Sequence, residues 1–512
     1  MPIMSESIAY IVLVLFAIIM IVATTMLSKE KFRNTTVGFM AAGRNVPWWL
    51  GAISISVSWI WAPALFVSVQ QAYQQGIPGI FWFSFPNILC LIIIAPLAVR
   101  IRRNLPDGYS QPEWIRFRFD EKTHKLYLIP FFWYQLMAVT VQLYAGGSIF
   151  SFLTGIPVIN VMVILAVTTL IYGTISGMRA SIITDFLQYA LIILGGLLVI
   201  PWTISSAGGF QAVVGGFGGI SGKFKDLLNP QVAFNFGIVT SIGLISGVLS
   251  DQQHWQRAFT INKKTLVRAY VFAGFLFGIV PIGLSTLGFL GANASVGVSL
   301  PAGADPSMIG VAVVAKFLPT WAVGAFLIML LGGLCSTLDS GMCAASSLYA
   351  LNCFPFTPEE KSAKEKEKKR EELSNQEKTI LSNFDKKTVK RGRIAMYGIT
   401  LAGFLVAIAV LYIPNFGLQY LWWVFNTIAA CVAVPTILSL YWKRLDSKGV
   451  FWGVLIAFFI GIPLFIYSNI VGNILMTVLS SVGILLITSL FAFLFPRKDD
   501  FPLIEKKDEI GS

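Results

Sequence analysis

Apolar residues run along this chain in long blocks, separated by short polar or basic stretches. A hydrocarbon core of about 30 Å is crossed by about 20 residues of α-helix, so each block predicts a membrane-spanning helix. Thirteen such blocks occur, at 8–27, 46–73, 77–99, 126–152, 157–175, 180–204, 233–254, 266–291, 321–350, 394–413, 417–442, 450–469 and 472–495. The pattern therefore predicts an all-α polytopic membrane protein with thirteen transmembrane helices. The first block has no basic lead and follows Glu6, which predicts a retained helix and not a cleaved signal peptide.

Composition narrows the class further. Of 512 residues, 56% are apolar and only 12% are charged, against about 25% charged in soluble domains. The mean hydropathy is +0.74. These values exclude a soluble multidomain enzyme, a disordered chain and a secreted disulfide scaffold. The five cysteines (Cys90, Cys335, Cys343, Cys353 and Cys431) lie in or beside apolar runs without metal-ligand spacing, and read as small packing residues. Two histidines, His124 and His254, leave little scope for zinc chemistry.

The net charge of +13 points to nucleic acid only until its distribution is read. Basic residues concentrate in cytoplasmic loops. With the N-terminus outside, 35 of the 38 Lys and Arg fall inside, and only Lys223, Lys225 and Lys316 fall outside. One missed or extra span would scramble this partition. It supports thirteen spans, an outside N-terminus and a cytoplasmic C-terminus, and it accounts for the basic balance without a nucleic-acid role.

Two polar segments stand apart. Residues 355–392 mix Lys and Glu densely and read as a solvated, partly helical cytoplasmic loop, or as a site for a protein partner. Residues 205–232 are Gly-rich and external, suited to capping an entrance.

Acidic residues within or at the edge of a span are few: Asp185, Asp251 and Asp339. A charge at mid-bilayer costs about 2.5–3.5 kcal/mol on insertion scales, so such residues carry a function or a partner. Asp185, near the start of the sixth span, fits either a solvated helix start or a buried site. Asp251 is expected at the interface, paired with Arg257. No Lys or Arg is expected at mid-depth, so a buried salt bridge is the weakest role for Asp339. Cation binding and proton carriage remain.

The second span contains Trp59, Trp61 and Pro63. Proline removes a backbone donor and disfavours helix at the residue before it. This predicts a helix broken at depth, which is tolerated where freed carbonyls face a cavity or an ion, or else an ordinary kink. The seventh span carries Gly237, Gly243 and Gly247. They fit a second interruption, and so an inverted repeat with a midplane site, or close packing of small residues. In the ninth span Gly333, Ser336, Thr337 and Ser340 share a helix face. Their oxygens suit a small alkali cation; the same hydroxyls can also bond the preceding turn.

Together these elements resemble the sodium:solute symporter family across almost the whole chain. AGRNVPWWLGAISIS resembles the lead-in to the family's broken helix, SQPEWIRFRF its "PEYLxxRF" segment, and GMRASIITDFLQ its "TDxxQ" signature. DQQHWQRAF is similar to its "QxxxQR" segment and CSTLDS to its ion-binding hydroxyl pair. The resemblance implies a LeuT-type 5+5 inverted repeat. The corresponding segments are 1–45 (leading helix and loop), 46–204 (first repeat), 205–232 (external loop), 233–442 (second repeat) and 443–512 (two further helices and a tail).

Carried over by position, the resemblance implies a main sodium site from the carbonyls of Val57, Ile60 and Gly333 with the hydroxyls of Ser336 and Thr337. A second sodium or proton site would use Asp185, Ser336, Asp339 and Ser340. A hydroxyl residue is usual in the family where this chain has Asp339, which leaves one or two sodium ions, or a proton, as coupling ions. No organic cofactor is implied. SWIWAPAL, AYQQGIPGIFWF and DQQHWQRAF resemble the urea-transporting branch, while TDFLQ and Asp339 depart from it.

The expected solute lining is Trp59, Trp61, Gln70, Trp82, Phe85, Trp423, Phe425 and Asn426. It is aromatic and amide-rich without fixed positive charge, so it suits a small neutral or cationic nitrogenous solute such as urea, an amide or a betaine-like compound. A carboxylated solute would want Arg, Lys or a helix N-terminus. The same aromatics can also serve as core or interface-belt residues.

The function expected is sodium-coupled import of a small solute across the lipid bilayer, the short loops fitting a bacterial inner membrane. The alternatives are a proton-coupled symporter and a sensor that keeps the fold without flux. The chain's end about 16 residues after its last span argues against a fused output domain. No nucleophile, base or metal constellation supports an enzyme.

Overall fold

The fold is a computed structural model in which residues 4–28, 30–301, 303–354, 356–369, 371–413 and 417–504 are described. Among them, twelve helices are long and apolar enough to cross a membrane. Lipid-side faces of the outer helices carry Ile11, Leu197, Leu401 and Leu486, each more than 60% exposed. In water such faces would aggregate; against lipid they are the solvated surface.

The sequence pattern predicted thirteen spans, and the difference lies at the second. Residues 46–73 do not form one helix. They divide into α1 (Trp48–Ser58), an unwound stretch at Trp59–Trp61, a short turn at Ala62–Leu65, and the start of α2 (Val67–Asn104). Inside α2, Gly76 takes φ +61° and ψ −146°, so the chain changes direction there and then runs on. The leading helix Glu6–Leu27 precedes α1 and starts on Ser5, whose side chain accepts the Ile8 N–H.

The short helix α3 (Gln111–Arg118) leads into α4 (Glu121–Thr154), α5 (Val158–Ser176) and α6 (Met178–Ser206). Then come α7 (Pro230–Ser250), the short α8 (Gln252–Thr260), α9 (Leu266–Ala292) and α10 (Thr320–Asn352). The last three of interest are α11 (Pro358–Lys369), α12 (Asn375–Leu411) and α13 (Leu418–Tyr441). Helices Ser447–Ile470 and Ile474–Leu494 close the described chain.

Helix α10 sits at the centre, 83% buried over its most apolar window. It packs on α6, α12 and α4, while α9 lies along α2 and α7 along α13. The core of the protein therefore surrounds the CSTLDS segment of α10 and the break after α1.

The seventh span is interrupted at its two ends, the first interruption taking in Gly237, and it runs on as regular helix through Gly243 and Gly247. A wide π-turn occupies Ala233–Gly237, and the helix stops at Ser250, where Asp251 (φ −82°, ψ 103°) turns the chain into α8. The glycines provide close approach. A Cβ on Gly237 would lie 2.4 Å from the Trp82 ring, and one on Gly247 2.5 Å from Asn426 Oδ1.

The Lys/Glu segment folds into α11 and the start of α12. Ser374 and Glu377 cap α12 reciprocally, and Lys366 Nζ meets Glu377 at 2.7 Å. Residues 355 and 370 of that segment and residues 505–512 of the tail lie outside the described residues.

Candidate ion and solute site

The break in the second span is built by its own sequence. Pro63 brings no N–H, and Trp59 and Ile60 close tight turns onto Ser56 O (3.1 Å) and Val57 O (3.0 Å). The Ala62 N–H, freed from helix, is taken by Gln142 Oε1 of α4 at 2.9 Å. The carbonyls of Ser58 and Ile60 are turned towards α10, where the Thr337 hydroxyl donates to both at 3.2 Å. Gly333, one helical turn earlier, lets the chains approach: a Cβ there would stand 3.0 Å from Leu65 and 3.5 Å from Ile60 O. Ile60, Gly333 and Thr337 are thus brought together. Val57 O is engaged by the Ile60 N–H, and the Ser336 hydroxyl turns away to donate to Asp185 Oδ1 at 2.6 Å.

The four residues of the second expected site are also brought together, around a partner the sequence did not show. Asp185 is fully buried, not a solvated helix start. Its Oδ2 accepts Arg257 Nη2 at 2.8 Å and the Ser54 hydroxyl at 2.5 Å. Arg257, 1% exposed, also donates to Ser54 (2.8 Å) and to Ser340 (2.8 Å). Two expectations are corrected here. Arg257 pairs with Asp185 and not with Asp251, and a buried base does stand among these acidic residues, because α8 folds inward behind the Asp251 turn. Asp251 is fully buried within the protein.

Asp339 lies beside this pair, within 3.5 Å of the Ser340 hydroxyl. It accepts from three α5 and α6 hydroxyls: Ser181 at 2.6 Å, Tyr172 at 2.9 Å and Thr184 at 3.1 Å. Sequence reasoning missed all three, although Ser181 and Thr184 lie within the GMRASIITDFLQ segment it singled out.

A small cavity of about 10 Å3 lies beside the break. Its walls include Trp59, Trp61, Phe83, Trp422, Phe425 and Asn426. Trp61 stacks on Phe425 with centroids 4.9 Å apart, and the Tyr134 hydroxyl donates to Asn426 Oδ1 at 3.0 Å. Trp59 Nε1 donates to Asn87 Oδ1 at 2.9 Å. Four expected lining residues are here, and four are elsewhere. Gln70 joins Gln71 in bonding Gln419 Oε1, at 3.3 and 2.8 Å. Trp82 covers Gly237. Trp423 donates to Thr240 at 3.2 Å, leaving Trp422 as the lining tryptophan of that pair. Phe85 is 51% exposed on a peripheral apolar groove.

The family model for sodium:solute symporters matches residues 39–374 and 378–457. The chain belongs to the sodium:solute symporter family. It is 23% identical to the urea active transporter of Saccharomyces cerevisiae over 84% of this chain and 59% of that protein. It is 25% identical to the probable urea active transporter 1 of Schizosaccharomyces pombe, over 54% of this chain and 44% of that protein. The chain thus spans about half the length of these relatives. The sodium/glucose cotransporter of Vibrio parahaemolyticus is 25% identical over 83% of this chain and 79% of its own length. Among solved structures, an outward-open sodium-coupled sialic acid symporter superposes with a TM-score of 0.74, at 17% identity over 97% of this chain and 99% of that one. That likeness establishes the fold. The family that the chain matches is one of sodium:solute symporters.

Proposed function

We propose that this symporter imports a small neutral or cationic nitrogenous solute, such as urea, an amide or a betaine-like compound, coupled to inward sodium movement. The observation that carries the coupling ion is the meeting of Thr337 with the carbonyls of Ser58 and Ile60 at the break. Hydroxyl and carbonyl oxygens are hard ligands and suit an alkali cation. Sodium held by Ile60, Gly333, Ser336, Thr337 and Val57 would tie the broken span to α10 and favour the formed cavity beside it. The solute would then bind among Trp59, Trp61, Phe425 and Asn426.

Rocking of one five-helix repeat against the other would open the cavity inward. One cation moving inward gains about 2.3 kcal/mol per 100 mV of membrane potential, enough to accumulate a neutral solute. The orientation that fits the basic loops has an outside N-terminus and a cytoplasmic C-terminus, in a bacterial inner membrane. In that orientation the segment 355–392 faces the cytoplasm, where a protein partner could dock.

A second reading replaces sodium by a proton. It is favoured by the crowding of Asp185, Asp339 and Arg257, since the guanidinium already places a positive charge where a second cation would sit. A rice relative, 22% identical over 57% of this chain and 45% of that protein, is named a urea-proton symporter. Thermal stabilisation of the purified protein by urea and related solutes, in sodium against potassium or choline, separates these readings. Ligand binding to the folded state raises the melting temperature by mass action. Sodium-dependent stabilisation that disappears in Thr337→Ala supports the first reading. Stabilisation that ignores sodium and follows acidification supports the second. Sodium-dependent uptake into proteoliposomes separates both from a sensor, which would bind without flux.

A further inference from the structure

We propose that Asp251 and His254 form a proton-binding couple behind the wall of the solute cavity. Both side chains are fully buried. Asp251 Oδ1 is satisfied by the Gln253 N–H at 2.9 Å and by Gln135 Nε2 at 3.3 Å. Its Oδ2 has no partner, and neither does either ring nitrogen of His254. The two unpaired atoms Oδ2 and Nε2 stand 3.6 Å apart. Buried polar atoms are nearly always paired, and an unpaired buried carboxylate oxygen is costly. One proton on Asp251 Oδ2 lets the carboxylic acid donate to a neutral His254 Nε2, and one on Nε2 gives a charge-assisted imidazolium–carboxylate bond; either closes the gap between the two facing atoms.

The surrounding titratable groups do not supply that partner. On α8, Arg257 is committed to Asp185 of α6 at 2.8 Å. On α9, the Tyr270 hydroxyl donates to the His254 carbonyl at 2.6 Å, not to its ring. On α4, Tyr134 donates to Asn426. On α10, Asp339 is held by Ser181, Tyr172 and Thr184, with Cys343 nearby, and on α2 Cys90 bonds the Asn87 carbonyl.

The couple reaches the cavity through one contact. The His254 ring meets Trp59 edge-on at 4.9 Å, and Trp59 is a cavity wall. Protonation draws His254 onto Asp251 and fixes the ring behind Trp59. A wall already fixed costs less to order when solute binds. Proton and solute therefore favour each other, by equal factors. This second half rests on the cavity being the solute site; the proton couple itself does not.

The test is imidazole nitrogen NMR on the full chain, histidine-labelled, in lipid nanodiscs. Only two histidines are present, so comparison with His254→Gln assigns the spectrum. If that variant does not fold, His124→Gln makes the same assignment. As the pH is lowered the couple is expected to take up one proton, seen at His254 either on its ring or as a hydrogen bond from Asp251. Asp251→Asn should abolish or displace that change. A ring that stays at its neutral position throughout, as a water-bridged pair would, overturns the proposal; so does a titration that Asp251→Asn leaves unmoved. With urea as probe, binding should be about fivefold tighter at the acidic end and flat across pH in Asp251→Asn. Binding that keeps its pH dependence in that variant overturns the linkage. If urea binds at no pH, the solute reading fails while the nitrogen titration still decides the couple.

Discussion

Asp185 and Arg257 form an ion pair of 2.8 Å at the junction of α6, α8 and α10, with both side chains out of solvent. Ser54, Ser336, Ser340 and the Gln253 carbonyl satisfy their remaining polar atoms. Such a pair gains little over an apolar core, but removing one member leaves a buried charge unpaired. Arg257→Gln or Asp185→Asn alone should destabilise the protein by about 3–5 kcal/mol. The double variant should lose clearly less than the sum, because no charge is then left alone. Thermal unfolding of the three variants in detergent checks this. Additive losses would mean that the pair contributes no coupling.

Asn426 is expected to set the polarity of the proposed solute cavity. Its Oδ1 accepts the Tyr134 hydroxyl at 3.0 Å and its Nδ2 donates to the Trp422 carbonyl at 3.1 Å. Asn426→Leu keeps the branched shape but removes the amide, so a solute bound there loses a polar partner worth about 1–3 kcal/mol, and Tyr134 is left unpaired as well. Uptake of a urea-like solute should fall about tenfold or more, since 1.4 kcal/mol is tenfold in affinity. Asn426→Gln should recover part of it. Concentration-dependent uptake into proteoliposomes, normalised to inserted protein, gives the comparison.

The helical pattern and the hydroxyl pair of α10 were legible in the sequence, and the reasons are local. Pro63 after two tryptophans marks a break because proline acts on its immediate neighbours. Ser336 and Thr337 stand out because few polar groups occur in an apolar helix. The partner of Asp185 was not legible. The DQQHWQRAF segment is polar and reads as an interfacial loop, whereas the turn at Asp251 folds it inward as a buried helix. Neighbours on a helix differ by about 100° in direction, so sequence does not say whether Trp422 or Trp423 lines the cavity. Gln142, which fills the donor gap at Ala62, sits on a different helix and gives no signal along the chain.

Glu113 gives the stability of the protein a pH dependence. It lies on α3, where burial pushes its carboxyl up to about 7, opposed by the Tyr109 N–H and by the positive charges of Arg44, Lys364 and Arg116. The folded value exceeds the usual carboxylate value, so the folded state binds the proton more tightly than the unfolded one. Its contribution is complete below the usual carboxylate range and is lost as pH rises through about 7. Glu113→Gln keeps an acceptor for the Tyr109 N–H, now 3.0 Å from Oε2, and does not titrate. The melting temperature of the variant should match that of the unsubstituted protein at about pH 5 and exceed it at about pH 8. A difference that stays constant with pH would remove Glu113 as the titrating group.

The 205–232 segment, proposed as an external cap, is held at Gly76, and that position should tolerate no side chain. Its φ of +61° with ψ of −146° belongs to backbone that is essentially restricted to glycine, where other residues are strained by about 1–3 kcal/mol. Space is also absent: a Cβ would stand 2.2 Å from the Phe217 carbonyl oxygen and 2.5 Å from that of Phe224. The backbone here is stitched to the cap, with Ile77 N–H donating to Phe217 O at 3.0 Å and Ile220 N–H to Tyr73 O at 2.8 Å. Gly76→Ala must either shift α2 or lift the 205–232 segment. The cap is the softer of the two, because α2 is packed along α9. Hydrogen exchange should therefore rise in residues 217–224 by about tenfold, a loss of about 1.4 kcal/mol in local stability, while exchange in α9 stays unchanged. Faster exchange throughout α2 and α9, with the cap unaffected, would show that the kink and not the cap yields.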